Sequence, residues 1–156
     1  MPGPMILFVC TGNICRSPMA EYLLRERLGP DSPWSVGSAG LLAGPGMPAS
    51  PEAVAVLQER GVDGRGHRSR PLDRAHVDAA TVIVVMTNAH RDMLQALFPG
   101  AEEKVFLLNA FSNGNRNADI DDPIGLPSET YERVCREIET ALRGLAAFLD
   151  ELDIET

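Results

Sequence analysis

The chain of 156 residues carries 22 acidic against 14 basic side chains, a formal net charge of −8 at pH 7, and 44% hydrophobic residues. A chain of this length can bury roughly two-thirds of its unfolded surface, so one domain over residues 1–156 is expected, with no disulfide or metal needed to hold it. The acidic balance argues against a nucleic-acid or anionic-membrane partner, since both demand a basic face, and no apolar run approaches the ~20 residues of a membrane span.

Met5 to Cys10 (MILFVC) is a continuous apolar run, as expected of a strand buried on both faces of a parallel sheet. It is too short for a signal peptide and has no cationic flank. Three cysteines, two of them in one short loop, do not make a secreted disulfide framework, and a reducing compartment suits a working thiol, so a cytoplasmic location is expected. Residues 18–28 place Ala20, Leu23, Leu24 and Leu28 at helical spacing, closed by Gly29 and Pro30. Trp34 to Ala39 reads as a second strand. After a Gly- and Pro-rich loop, Ala53, Val54 and Leu57 mark a helix stopped by Gly61.

Thr81 to Met86 (TVIVVM) is the clearest strand, β-branched and uninterrupted. A helix follows over 88–98, stopped by Pro99 and Gly100, then a fourth strand over Val105 to Leu108. The last helix, 128–151, carries Val134, Ile138, Leu142, Leu145 and Leu149 along one face. Strands alternating with helices imply right-handed crossovers and an α/β doubly wound parallel sheet with helices on both faces. Ligands in such sheets bind beyond the C-terminal strand ends, where Cys10 falls.

The residues after the first strand, CTGNICRSP from Cys10 to Pro18, carry the functional signal. Five residues between a cysteine and an arginine are about enough to curl the backbone around a tetrahedral anion, its N–H groups forming a nest. Thr11, Gly12, Asn13, Ile14 and Cys15 would make that loop, and Arg16 would close it with a planar fork suited to two oxygens. A helix starting at Pro18, with Ser17 as its cap, would aim its N-terminal dipole at the same anion. That field favours the thiolate form of Cys10, the nucleophile. Asn13 can take the left-handed conformation such a loop needs. A leaving oxygen also requires a proton donor, and the segment Asp119 to Pro123 supplies candidates. His67, His76 and His90 have no ligand spacing, so no metal or other cofactor is expected.

These residues resemble the low-molecular-weight protein tyrosine phosphatases. The likeness rests on the run CTGNICRSPMAE from Cys10 to Glu21, on Ser38-Ala39-Gly40, on the His67 to Arg70 segment and on Asp122-Pro123, and spans roughly residues 5 to 149. It implies a four-stranded parallel sheet of flavodoxin-like order. It implies Cys10 as nucleophile, Arg16 as phosphate clamp and Asp122 as general acid, with Asp121 the fallback. Asn13, Ser17, Ser38 and His67 would brace the loop. Cys15 would either form a reversible protective disulfide with Cys10 or fill space at the helix entry.

The substrates implied are phosphorylated proteins or peptides, with inorganic phosphate or another oxyanion held in the loop. The same fold also hosts protein arginine phosphatases, so two substrates compete. Ile14 matches the tyrosine branch, where the arginine branch has threonine. The stretch after Asp122, Pro123 to Pro127 (PIGLP), lacks the aromatic wall usual in tyrosine phosphatases. The loop position favours phosphotyrosine, with phosphoarginine the alternative, and Leu41 and Leu42 are candidate apolar walls. An arsenate reductase would need further cysteines near residues 80–90, where the chain has none.

Overall fold

The computed structural model describes residues 3–152. In chain order it has β1 (Met5–Cys10), α1 (Arg16–Leu28), β2 (Ser35–Gly40), α2 (Pro51–Glu59), α3 (Arg74–Ala79) and β3 (Val82–Val85). These are followed by α4 (Asn88–Leu97), β4 (Val105–Leu107) and α5 (Ser128–Glu151), with short 3-10 turns at Glu102–Lys104 and Leu108–Phe111. The sheet order is β2-β1-β3-β4 and every pairing is parallel. This is the flavodoxin-like order that the resemblance implies.

The central strand β1 is buried from Ile6 to Cys10, and its side chains alternate between two cores. Ile6, Phe8 and Cys10 join Met19, Leu24, Leu57, Ile138 and Leu145 on the face covered by α1, α2 and α5. Leu7 and Val9 join Val77, Ile83, Val85 and Leu94 on the face covered by α3 and α4. Register pairs Cys10 with Gly40 and Val9 with Val85, which brings the ends of three strands to one edge.

Three local expectations are corrected. Helix α1 begins at Arg16 rather than Pro18, and Cys15 sits at its N-cap with no capping side chain. Ser17 does not cap it, because its hydroxyl is engaged by Cys10 and Asn13 instead. The second strand is shifted one residue, to Ser35–Gly40. Helix α3 was not visible in the apolar pattern, since only Val77 of its six residues is buried; Asp73 caps it by accepting from the His76 amide at 2.8 Å. Gly61 follows α2 at φ 73°, the left-handed stop expected of it. Among the described residues no helix is long and apolar enough to cross a membrane.

Candidate active site

Cys10 ends β1, and the loop from Thr11 to Cys15 curls from the sheet edge into α1. Asn13 is the pin of this curl. It has φ 58°, the one positive value at a non-glycine residue among those described, and it is fully buried. Its Nδ2 donates to Ser17 Oγ at 2.8 Å and to Ser38 Oγ at 2.9 Å, while Oδ1 accepts from the Arg70 amide at 3.0 Å. Its carbonyl lies 2.7 Å from His67 Nε2, which must carry the proton because a carbonyl only accepts. The φ that a β-carbon normally penalises is thus held by four hydrogen bonds.

Ser17 Oγ lies 2.9 Å from Cys10 Sγ. Since it accepts from Asn13, its single hydrogen is left to be donated to the sulfur. Ser38, the other acceptor of Asn13, donates in turn to Glu21, and Glu21 is paired with Arg25. Arg25 also donates to the Val36 carbonyl at 2.8 Å, so the network is tied to β2.

Arg16 is 4% exposed and its Nη1 donates to the Ile120 carbonyl at 2.9 Å. That carbonyl is fixed because the Ile120 amide donates to Met86 at the end of β3. The second guanidinium nitrogen, Nη2, lies 3.6 Å from Asp122 Oδ2. Asp122 has a half-exposed side chain whose Oδ1 accepts from the Ile124 amide at 3.1 Å, a turn made after Pro123. A cleft of about 160 Å³ is lined by Cys10, Thr11, Gly12, Ile14, Cys15, Arg16, Asp122 and Ile124. Asp119 is spent on Asn88 at the start of α4, and Asp121 faces Arg133 at 3.4 Å, so Asp122 alone of the three reaches the cleft. Leu41 and Leu42 do not line it, contrary to expectation; the apolar walls are Ile14 and Ile124.

Cys15 is buried, with Tyr131 Oη at 3.3 Å and Ser50 Oγ at 3.5 Å, and burial pushes its thiol up. Cys135 on α5 is fully buried and pushed up to about 12. Thr11 Oγ1 lies 2.8 Å from His90 Nε2, and burial, aided by the Arg16 charge, lowers His90 to about 4. A neutral imidazole therefore backs the loop at neutral pH.

Glu21, Arg70, His90, Ser50 and Tyr131 were missed by sequence reasoning. Ser17, Glu21 and Arg25 recur every four residues on one helix face, a spacing that could have exposed Glu21. Arg70 lies three residues after His67 in a segment already singled out, whereas no local signal ties His90 to Thr11, 79 positions away. Among the described residues no group of three or more His, Cys, Asp or Glu side chains could hold a metal ion.

A family model for low molecular weight phosphotyrosine protein phosphatase matches residues 5–154. A protein-arginine-phosphatase of Geobacillus stearothermophilus is 45% identical over 141 residues, covering 90% of this chain and 93% of that protein. A probable low molecular weight protein-tyrosine-phosphatase EpsP of Ralstonia solanacearum is 39% identical over 147 residues, covering 94% of each. The solved structure of YwlE arginine phosphatase from Geobacillus stearothermophilus superposes with a TM-score of 0.87 at 44% identity, covering 94% of this chain and 93% of that one.

Proposed function

Because the chain belongs to the low molecular weight phosphotyrosine protein phosphatase family, and is thereby a protein phosphatase, we propose that it hydrolyses phosphotyrosine in proteins or peptides with Cys10, Arg16 and Asp122 as its catalytic residues. The observation that carries the chemistry is the 2.9 Å contact of Ser17 Oγ with Cys10 Sγ at a cleft also lined by Arg16 and Asp122. The Cys10 thiolate attacks phosphorus in line, forming the S–P bond as the P–O bond to the leaving group breaks. Amides of the loop from Thr11 to Ser17 and the Arg16 fork hold the three equatorial oxygens. Asp122 gives its proton to the leaving oxygen. As a carboxylate it then takes a proton from water, whose oxygen attacks phosphorus and frees Cys10 and inorganic phosphate. Asn13, Ser17, Ser38 and His67 act as positioning residues. A reducing, cytoplasmic setting suits a thiolate that must stay unoxidised.

Phosphotyrosine is favoured by Ile14, whose apolar side chain lines the cleft and offers nothing to a polar guanidinium. Phosphoarginine is the second reading, favoured by the 45% identical protein-arginine-phosphatase and by the absence of any aromatic side chain from the cleft lining. The deciding experiment is kcat/KM on phosphotyrosine and phosphoarginine peptides side by side under reducing conditions, with Cys10→Ser as the blank. The expected result is preference for phosphotyrosine, shifted toward phosphoarginine by Ile14→Thr. Preference of the unaltered protein for phosphoarginine would overturn the substrate, and substantial turnover by Cys10→Ser would overturn the mechanism.

A further inference from the structure

A second concave site lies beside the edge strand β2, about 250 Å³ in volume and sharing no lining residue with the catalytic cleft. Its walls include Glu21, Tyr22, Arg25, His67, Arg68 and Arg70. Three guanidinium groups therefore share one hollow with a single carboxylate, on a chain whose net charge is −8. That carboxylate is spent, since Glu21 accepts from both Ser38 and Arg25. Among the described residues neither Arg68 nor Arg70 forms an ion pair with any carboxylate.

Their protein partners are carbonyls and leave donors over. Arg70 is half-buried and commits only Nε, to the Ser38 carbonyl at 2.9 Å. Arg68 commits only Nη1, to the carbonyls of His67 at 2.7 Å and Arg65 at 3.4 Å. The hollow is also kept open beside Arg70, because a β-carbon at Gly37 would stand 2.8 Å from Arg70 Nη2. Clustered guanidinium donors without a carboxylate partner match a tetrahedral oxyanion, which they can grip by paired, charge-assisted hydrogen bonds.

We propose that this hollow is a second anion site, in which Arg68 and Arg70 bind a phosphate-class oxyanion separately from the catalytic loop. It is coupled to the nucleophile. Arg70 holds the Ser38 carbonyl, Ser38 Oγ holds Asn13, and Asn13 holds the Ser17 hydroxyl that faces Cys10. An anion that draws Arg70 away from Ser38 thus acts on the loop from behind, and phosphate inhibition gains a component that substrate does not relieve.

The test follows backbone amide NMR shifts of the full chain during titration with inorganic phosphate and then with pyrophosphate. Two sets of shifting resonances are expected: one at Gly12 to Ser17, and one at Tyr22, Gly37, His67 and Arg68. Arg16→Met should keep the second set and leave at Gly12 to Ser17 only the smaller shifts that follow the second site's binding curve. Arg68→Met should weaken the second about tenfold or more, the cost of losing a charge-assisted contact, while keeping the first. Shifts confined to the loop would overturn the proposal, as would a second set unmoved by Arg68→Met. Failure of the phosphatase reading would instead remove the first set and leave the second, so the two failures are distinguishable.

Discussion

Replacing Asn13 by alanine tests whether the phosphate loop is held by side-chain hydrogen bonds or by backbone preference alone. The variant loses the bonds to Ser17, Ser38 and the Arg70 amide, all in buried or half-buried surroundings. At about 1 kcal/mol each these cost about 3 kcal/mol. Holding alanine at φ 58° adds about 1 kcal/mol. The sum of about 4 kcal/mol corresponds to a fall in Tm of about 12 °C for a chain of this length. Asn13→Gly removes the same hydrogen bonds and relieves the strain, but pays back about 0.5–1 kcal/mol in unfolded-chain entropy. The two variants should therefore melt close together and well below the parent, because the hydrogen bonds dominate. On phosphotyrosine peptide both should lose about 100-fold in kcat/KM, the scale of a lost oxyanion donor. Thermal unfolding by circular dichroism and steady-state kinetics read both effects. The reasoning is refuted if Asn13→Gly melts like the parent while Asn13→Ala does not, since backbone strain would then outweigh the bonds.

Other consequences can be checked with similar economy. His90 binds its proton near pH 4 in the folded chain against 6.5 when unfolded, so the unfolded state takes up more protons between those values and stability falls as pH drops through that window. The loss reaches about 3 kcal/mol at pH 4, and urea unfolding at several pH values should show His90→Gln lacking that part of the slope. Iodoacetamide should label Cys10 alone and be blocked by phosphate, because Ser17 Oγ faces the Cys10 sulfur at the cleft while the thiols of Cys15 and Cys135 are raised; mass-spectrometric detection of label on either would contradict the site. Gly144 in α5 has no room for a side chain, since a β-carbon would stand 2.0 Å from the Phe111 carbonyl oxygen. Gly144→Ala should force α5 away from the 3-10 turn Leu108–Phe111 and cost about 1–3 kcal/mol, read as a lowered urea midpoint. Asp122→Ala should cut kcat about 100-fold or more on phosphotyrosine, whereas on p-nitrophenyl phosphate the first step should survive as a burst of nitrophenol, whose release needs little protonation, before hydrolysis stalls for want of its base.

What the sequence discloses about this fold follows how local each cause is. β1, β3 and α5 are long, one-signed patterns, and the structure keeps them within two residues of expectation. Asn13 was readable because a short loop needing a left-handed residue held an asparagine. His67, one histidine among arginines, looked equally like a surface residue, yet it is 4% exposed and bonded to the Asn13 carbonyl. Helix α1 shows why its boundary failed: from Arg16 to Glu21 every residue is buried whatever its polarity, so no apolar stripe marks where the helix begins. Ser17 looked like a cap because a serine before a proline is a good cap. Its hydroxyl bonds the sulfur of Cys10 and the amide of Asn13 instead, and the backbone enters the helix early so that Ser17 can face them. The polar network joining Glu21, Ser38, Asn13 and Arg70, of which the family resemblance implied only Asn13 and Ser38, is assembled only when β2 pairs with β1 and sets Ser38 opposite Phe8. Its members are ordinary residues whose burial depends on sheet register, and register is a property of the whole chain.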